Sequence, residues 1–429
     1  MSEAAARARG RAGEVFSDYR RWLPWALVAL AVTYPFWYSV PPFSYLALDI
    51  LGLELDTAIL MIVYVMLALG LNIVVGYAGL LDLGYVAFFA LGAYAVGWFA
   101  SDKFSGVEFH LFTNAPEGAP GIHISMWLVL LMAGVVTAIA GVIIGWPTLR
   151  LRGDYLAIVT LGFGEIIPDA FRNADRLPVP VVRAAFPFID VVDVNLTNGV
   201  RGVRSLDRPG FGDRLDSITG GVLPDRFTGI ELKPWYFVIL ALVFVTVFVI
   251  RRLEKSKMGR AWIAVREDEV AASAMGVPLM RTKLWAYGIG AIFGGIVGAY
   301  YGSFIGSVFP TGFRFEISIF ILVMVVVGGM GNIWGVMLGA LVIEYLNFKG
   351  LEKIGERVND GVDLVGIDQT IEIDKYKGLI FGTMLVIMML LRPEGLIPSA
   401  RRKAELHEAE EEGPETTYGD LYDVRREGA

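Results

Sequence analysis

The chain has 429 residues, 55% of them hydrophobic and 19% charged, and a mean hydropathy of +0.56, which is too apolar for a water-soluble fold. It contains no cysteine, which excludes disulfides, thiolate nucleophiles and Cys-ligated zinc or iron–sulfur sites. His110, His123 and His407 share no metal-ligand spacing, and much of the net charge of −7 sits in residues 401–429, where nine acids face five bases.

Uncharged runs long enough to cross roughly 30 Å of hydrocarbon recur along most of the chain, whereas a membrane barrel would show alternating segments of about ten residues. The expected fold is therefore an all-α polytopic membrane protein of about ten transmembrane helices. Residues 1–22 form a tail with Arg7, Arg9, Arg11, Arg20 and Arg21 ahead of the apolar run Leu23 to Val40. That run is long and aromatic-rich with no clear small-x-small site after it, so it reads as an uncleaved first helix. Further spans fall near 56–76, 81–100, 125–146, 154–172, 234–250, 284–304, 317–333, 335–349 and 377–392. Two connections are only a few residues long, Gly76 to Leu81 and Gly331 to Gly335, where tight re-entry or a broken helix is expected.

Lys and Arg favour the cytoplasmic side of short loops. The loop from Arg251 to Lys283 holds eight basic residues. With ten spans it lies inside together with the N-terminal tail, the Arg150–Arg152 turn and the tail after Arg392. The membrane domain then covers 23–400, with polar stretches 173–233 and 350–376 outside and an acidic, disordered tail over 401–429. This orientation puts both termini on the cytoplasmic side of the membrane.

Gly290, Gly294, Gly298 and Gly302 form successive GxxxG steps, and Gly331, Gly335 and Gly339 form two more. Small residues let helices approach closely where lipid supplies no hydrophobic drive. The fifth span carries Thr160, Gly162, Gly164, Glu165, Pro168 and Asp169, and reads as a short or interrupted helix of the kind that holds polar solutes near the midplane. Glu165 is a functional candidate because a carboxylate in lipid is costly, with an interfacial position as the alternative. Asn72, Asp82 and Asn332 are polar residues among glycines that suit either a solute contact or a turn hydrogen bond. Asn72, Thr160, Gly162, Gly164 and Glu165 are the candidate substrate pathway.

In the loop from Arg251 to Lys283, Glu267, Asp268 and Glu269 favour a helix N-terminus, and Gly276 followed by Pro278 makes a stop. A short helix results, suited either to slot into a groove of another protein or to serve as a solvated linker. Here the sequence resembles the EAA coupling motif of ABC importer permeases, with Glu267, Asp268, Ala271, Ala272 and Gly276 as the ATPase-coupling residues. Gly76 to Tyr94, Leu149 to Ile166 and Gly328 to Asn332 look like signatures of the branched-chain amino acid permease family, and the likeness spans roughly 56–395 and is closest to the larger of its two paired permeases. Thr197-Asn198-Gly199 resembles the family's TGG-type motif with Asn198 in place of glycine.

The resemblance implies a transport subunit for branched-chain amino acids, urea or short amides. Its implied partners are a second permease, two ATP-binding cassette subunits and a periplasmic substrate-binding protein, within the lipid bilayer and without nucleic acid. No Walker A pattern exists in the chain, so ATP is expected on the partners and no cofactor, metal or catalytic residue here. An ion-coupled secondary transporter or channel, using Glu165 or Asp169, is the competing class. A membrane enzyme would need a constellation of catalytic residues that the sequence lacks.

Overall fold

Apolar runs bounded by glycine, proline or charge become helices, because within hydrocarbon a backbone must satisfy its own polar groups. The computed structural model describes residues 28–41, 43–113, 118–151, 153–175, 195–210, 227–364, 373–392 and 394–397. The 1–22 tail, the start of the predicted first span, much of the polar stretch 173–233 and the 401–429 tail lie outside them. The helices are α1 (Val28–Trp37), α2 (Leu55–Asn72, prolonged to Tyr77 by a π turn), α3 (Val86–Phe99), α4 (Met126–Thr148) and α5 (Asp154–Asn173). There follow α6 (Leu232–Glu254), α7 (Lys257–Glu267), α8 (Glu269–Ala274), α9 (Leu279–Ile305) and α10 (Phe315–Gly328). The last are α11 (Ile333–Tyr345), α12 (Leu351–Leu364) and α13 (Lys377–Leu391).

A helix stands at each of the ten predicted spans. Among the described residues five are long and apolar enough to cross a membrane unaided: Leu55–Tyr77, Met126–Thr148, Leu232–Glu254, Leu279–Ile305 and Pro310–Gly328. Of the others, α5 is 20 residues long but carries Glu165, Asp169 and Arg172, whereas α3 is short because a glycine-containing turn precedes it. At 1.5 Å per residue α3 reaches only about 21 Å, and the stretch 78–85 before it is non-helical. Contrary to the expectation for the fifth span, α5 is continuous through Pro168. That proline removes one hydrogen bond near the helix end without stopping the helix. An interruption does lie between α2 and α3, at the short connection where one was expected, and there Gly79 adopts a left-handed φ of 69°. The stretch 350–376, read as a polar connection, carries α12.

α9 is the centre of the bundle, packed on α2, α3 and α4 through its glycines. Gly298 lies against the backbone of Phe89 and Ala93, Gly294 against Phe88 and Tyr85, and Gly290 against Val74. α4 shows the resulting pattern: its buried face carries Gly134, Thr137, Gly141 and Gly145, while Leu131, Val135, Ile139, Val142 and Trp146 are exposed along the other face. Small residues inward and large apolar residues outward is the distribution of a helix between protein and lipid.

At one end of the bundle two small sheets form among the described residues, one of three strands and one of two. β1 (Ala100–Ser101) runs antiparallel to β3 (Gly121–Ile124), which pairs in parallel with β2 (Glu108–Leu111), and β4 (Val203–Arg204) pairs with β5 (Ser307–Val308). His123 is buried there, with Nδ1 2.8 Å from an Asp207 carboxylate oxygen. Asn198 takes the left-handed conformation, φ 58°, at the position where the TGG-type motif has glycine. The short side chain of Asn makes αL affordable, and its Nδ2 donates to the Gly202 carbonyl.

At the opposite end the chain after α13 returns to the α10–α11 turn. The amides of Leu396 and Ile397 donate to the carbonyls of Val327 and Gly328 at 2.8 and 3.2 Å, satisfying carbonyls that the end of α10 leaves free. Asn332 caps α11, its Oδ1 accepting from Trp334 N–H.

Candidate functional site

At the end of the bundle away from the sheets, α7 packs on the bundle through Gly259, Trp262 and Val265, and the short α8 follows it with only Ala272 buried. Trp262 is buried and its indole N–H donates to the Thr282 carbonyl at 2.9 Å. Asp268 is the N-cap of α8, its carboxylate accepting from Val270 and Ala271 N–H at 2.7 and 3.0 Å. Gly276, at φ 84°, ends the helix with open space around its α-carbon, as a left-handed stop requires. Lys283 is almost fully buried and reaches Glu269 at 2.5 Å.

Of the predicted coupling residues, Ala272 packs inward, whereas Glu267, Asp268, Ala271 and Gly276 are exposed. Glu267 closes α7 instead of opening α8. Beside them Val270 and Met275 hold large apolar side chains 69% and 85% exposed, which the sequence reading did not single out. Removing Glu269 would leave a buried ammonium unpaired, an effect of about 3–5 kcal/mol. Glu269→Ala is accordingly expected to raise amide hydrogen exchange over 268–283 while leaving α9 beyond Tyr287 protected.

The α7–α8 pair is wired to both helix breaks. The Arg266 guanidinium donates to the Gly76 carbonyl at 2.5 Å, and Asn72 Oδ1 accepts from Gly331 N–H at 2.9 Å. Three turns that the charge pattern assigns to one side of the membrane are thus in contact. Asn72 is fully buried in this joint and lines no part of the pocket described below.

The break before α3 is stabilised by hydroxyls from two other helices. Thr160 Oγ1 on α5 accepts from Leu83 N–H at 3.0 Å, Ser318 Oγ on α10 accepts from Val86 N–H at 3.0 Å, and Asp82 Oδ1 accepts from Gly84 N–H at 2.8 Å. Each satisfies an amide that has no intrahelical partner. Thr160 is completely buried, so its side chain caps the break and does not face open space. Gly164 is buried against the carbonyl of Leu83 and the ring of Phe315.

The other face of α5 is bare. Tyr155, Ile158, Glu165, Asp169 and Arg172 are exposed, and a β-carbon on Gly162 would meet nothing within 4 Å. At spacings of three and four residues these positions form one stripe. Where the stripe nears the sheet end, a cavity of about 360 Å³ opens between α5 and the segment leading into α10, lined by Glu165, Pro168, Asp169, Arg172, Pro310, Thr311, Arg314, Phe315 and Glu316. Two ion pairs stand within it, Arg172 with Asp169 at 3.2 Å and Arg314 with Glu316 at 3.0 Å. The sequence reading found Glu165 but missed Arg314 and Glu316, which lie in a different span. It also missed Glu344, a carboxylate buried on α11 that accepts from Asn347 Nδ2 at 3.2 Å; its signal was a single acid in an apolar run.

A larger groove of about 560 Å³ lies at the sheet end, lined by Lys103, Arg201 and Arg204 with Asp102 and Asn198. Partial burial lowers the pKa of the Lys103 ammonium, and the Asp175 carboxylate offsets this in part. No three His, Asp or Glu side chains among the described residues are grouped to hold a metal ion.

Comparison with known proteins gives a family. Residues 54–389 match the model described as the permease component of the branched-chain amino acid transport system. The chain is 33% identical over 398 residues to the high-affinity branched-chain amino acid transport system permease protein LivM of Salmonella typhimurium, covering 90% of this chain and 77% of that protein. It is 34% identical over 391 residues to the corresponding LivM of Escherichia coli, covering 89% and 76%. The permease protein LivH of Salmonella typhimurium is 23% identical over 343 residues, covering 78% of this chain and 91% of that protein. No solved structure matches. The chain, with its bundle of apolar helices and its α7–α8 pair, belongs to the permease family of branched-chain amino acid transport systems.

Proposed function

We propose that this chain is one of two permease subunits of an ATP-driven importer, carrying branched-chain amino acids or a related small polar solute such as urea or a short amide across the inner membrane. The observation that carries the reading is the contrast between two exposed helix faces. The bare stripe of α4 is apolar throughout, whereas that of α5 carries Glu165, Asp169 and Arg172. A charged side chain facing mid-bilayer lipid costs about 2.5–3.5 kcal/mol or more, so the α5 face belongs against protein or water. A second permease set against this stripe would enclose the solute path between the two subunits.

The α7–α8 pair, with Val270 and Met275 bare, is the contact for a pair of ATP-binding subunits. Arg266 and the Asn72–Gly331 joint would carry its displacement to the two helix breaks, giving alternating access. The basic groove at the sheet end is the landing surface for a substrate-binding protein outside the membrane, with both chain termini on the cytoplasmic side. The relatives' names support the pairing, since the chain resembles both LivM and, more distantly, LivH.

The test is purification of the tagged chain in mild detergent followed by mass spectrometry of what accompanies it. A sister permease and two ATPase chains are expected. A chain that purifies alone and transports without ATP would instead be the ion-coupled transporter.

A further inference from the structure

The cavity between α5 and the start of α10 holds five ionisable side chains, and four of them already pair within it. Asp169 is matched by Arg172 and Arg314 by Glu316. Glu165 is exposed in the same cavity and has no ion pair or hydrogen bond among the described residues. One negative charge is therefore left over. The remaining walls, Pro168, Pro310 and Phe315, offer apolar surface. At about 360 Å³ the space is at the small end of ligand cavities, roughly 300–1,000 Å³.

We propose that Glu165 receives the ammonium group of the transported solute and is the residue by which this cavity discriminates against urea and uncharged amides. The inference rests on the permease reading above and selects among the solutes that reading leaves open. A carboxylate accepts two or more charge-assisted hydrogen bonds from an ammonium, whereas a neutral amide leaves the excess charge unbalanced. The solute's carboxylate would share the guanidinium of Arg314 with Glu316, an exchange that costs little at an exposed ion pair. The side chain would lie on Phe315 and the two prolines.

The chain's lack of cysteine makes a direct test available. Thr311, exposed on the cavity wall, is replaced by cysteine (Thr311→Cys), and the rate of its reaction with a small maleimide is followed on this chain within the assembled complex in lipid nanodiscs. Leucine and leucinamide, which carry an ammonium, should slow labelling; isocaproate and isocaproamide, with the same carbon skeleton and no ammonium, should not. Adding Glu165→Gln should raise the leucine concentration needed for half-protection by about tenfold or more, the worth of a charge-assisted bond, with Glu165→Asp intermediate. Equal protection by isocaproamide, equal protection after Glu165→Gln, or no protection by any solute would overturn the assignment. ATP-driven leucine uptake by the unmodified complex is measured alongside: if it is present while protection fails, only the role of Glu165 falls, and if it is absent the permease reading itself falls.

Discussion

Gly298→Val is expected to abolish accumulation of the folded protein in the membrane, while Gly378→Ala leaves it unchanged or slightly more stable. A β-carbon at 298 would be driven into the carbonyl oxygen of Phe89 and lie 3.0 Å from Ala93 N. Both obstacles are helix backbone, so relief requires α3 and α9 to separate along their length, and with them the contacts at Gly294 and Gly302. Overpacking ordinarily costs about 1–3 kcal/mol, and here the rigid partner puts the loss at or above the upper figure. Gly378 meets nothing within 4 Å at the first turn of α13, where alanine gains roughly 0.5–1 kcal/mol of helix preference. Fluorescence-detected size exclusion of tagged variants after graded heating separates the outcomes. A monodisperse Gly298→Val protein with wild-type thermal behaviour would show that the glycines of α9 are not what holds the bundle.

The second large effect is expected at Glu267. Glu267→Arg should fold normally and lose uptake by about 100-fold or more. The residue is exposed at the last turn of α7, where a cation is favoured by the helix dipole, and the Asp268 cap of α8 is untouched. Stability is thus preserved, but the charge offered to a docking subunit is inverted, and truncating a single central interface residue already costs 2 kcal/mol or more. Uptake in cells, paired with co-purification of the proposed ATPase chains, distinguishes lost docking from lost coupling. Normal uptake would remove Glu267 from the contact.

Much of this architecture is legible along the chain. Local hydropathy is enough to locate the helices, since a backbone in lipid has few alternatives to the helix, and the Asp268-x-x-Ala271 start and Gly276 stop of α8 are short-range signals that tertiary contacts do not override. The GxxxG rows of α9 likewise announce close packing, because glycine has few other uses in a helix interior. Other features lie beyond the range of local signals. Gly162, Gly164 and Pro168 suggested a break in α5 that does not occur; the break expected from the short Gly76 to Leu81 connection does occur, at 78–85, but that hydroxyls from Thr160 and Ser318 on separate helices satisfy its freed amides is not a local signal. Thr160, a candidate solute contact by its sequence, is taken up by such bonds, and Asn72, which suited either a solute contact or a turn, spends its Oδ1 on the Gly331 amide.

Residue types and their order determined that the protein is a helical membrane permease with a short helix at one end. Only the tertiary structure decided which polar groups remain available for solute. Availability is what is left after pairing, and Arg314 and Glu316, some 150 positions from Glu165 in the sequence, enter that balance only when α10 is brought beside α5.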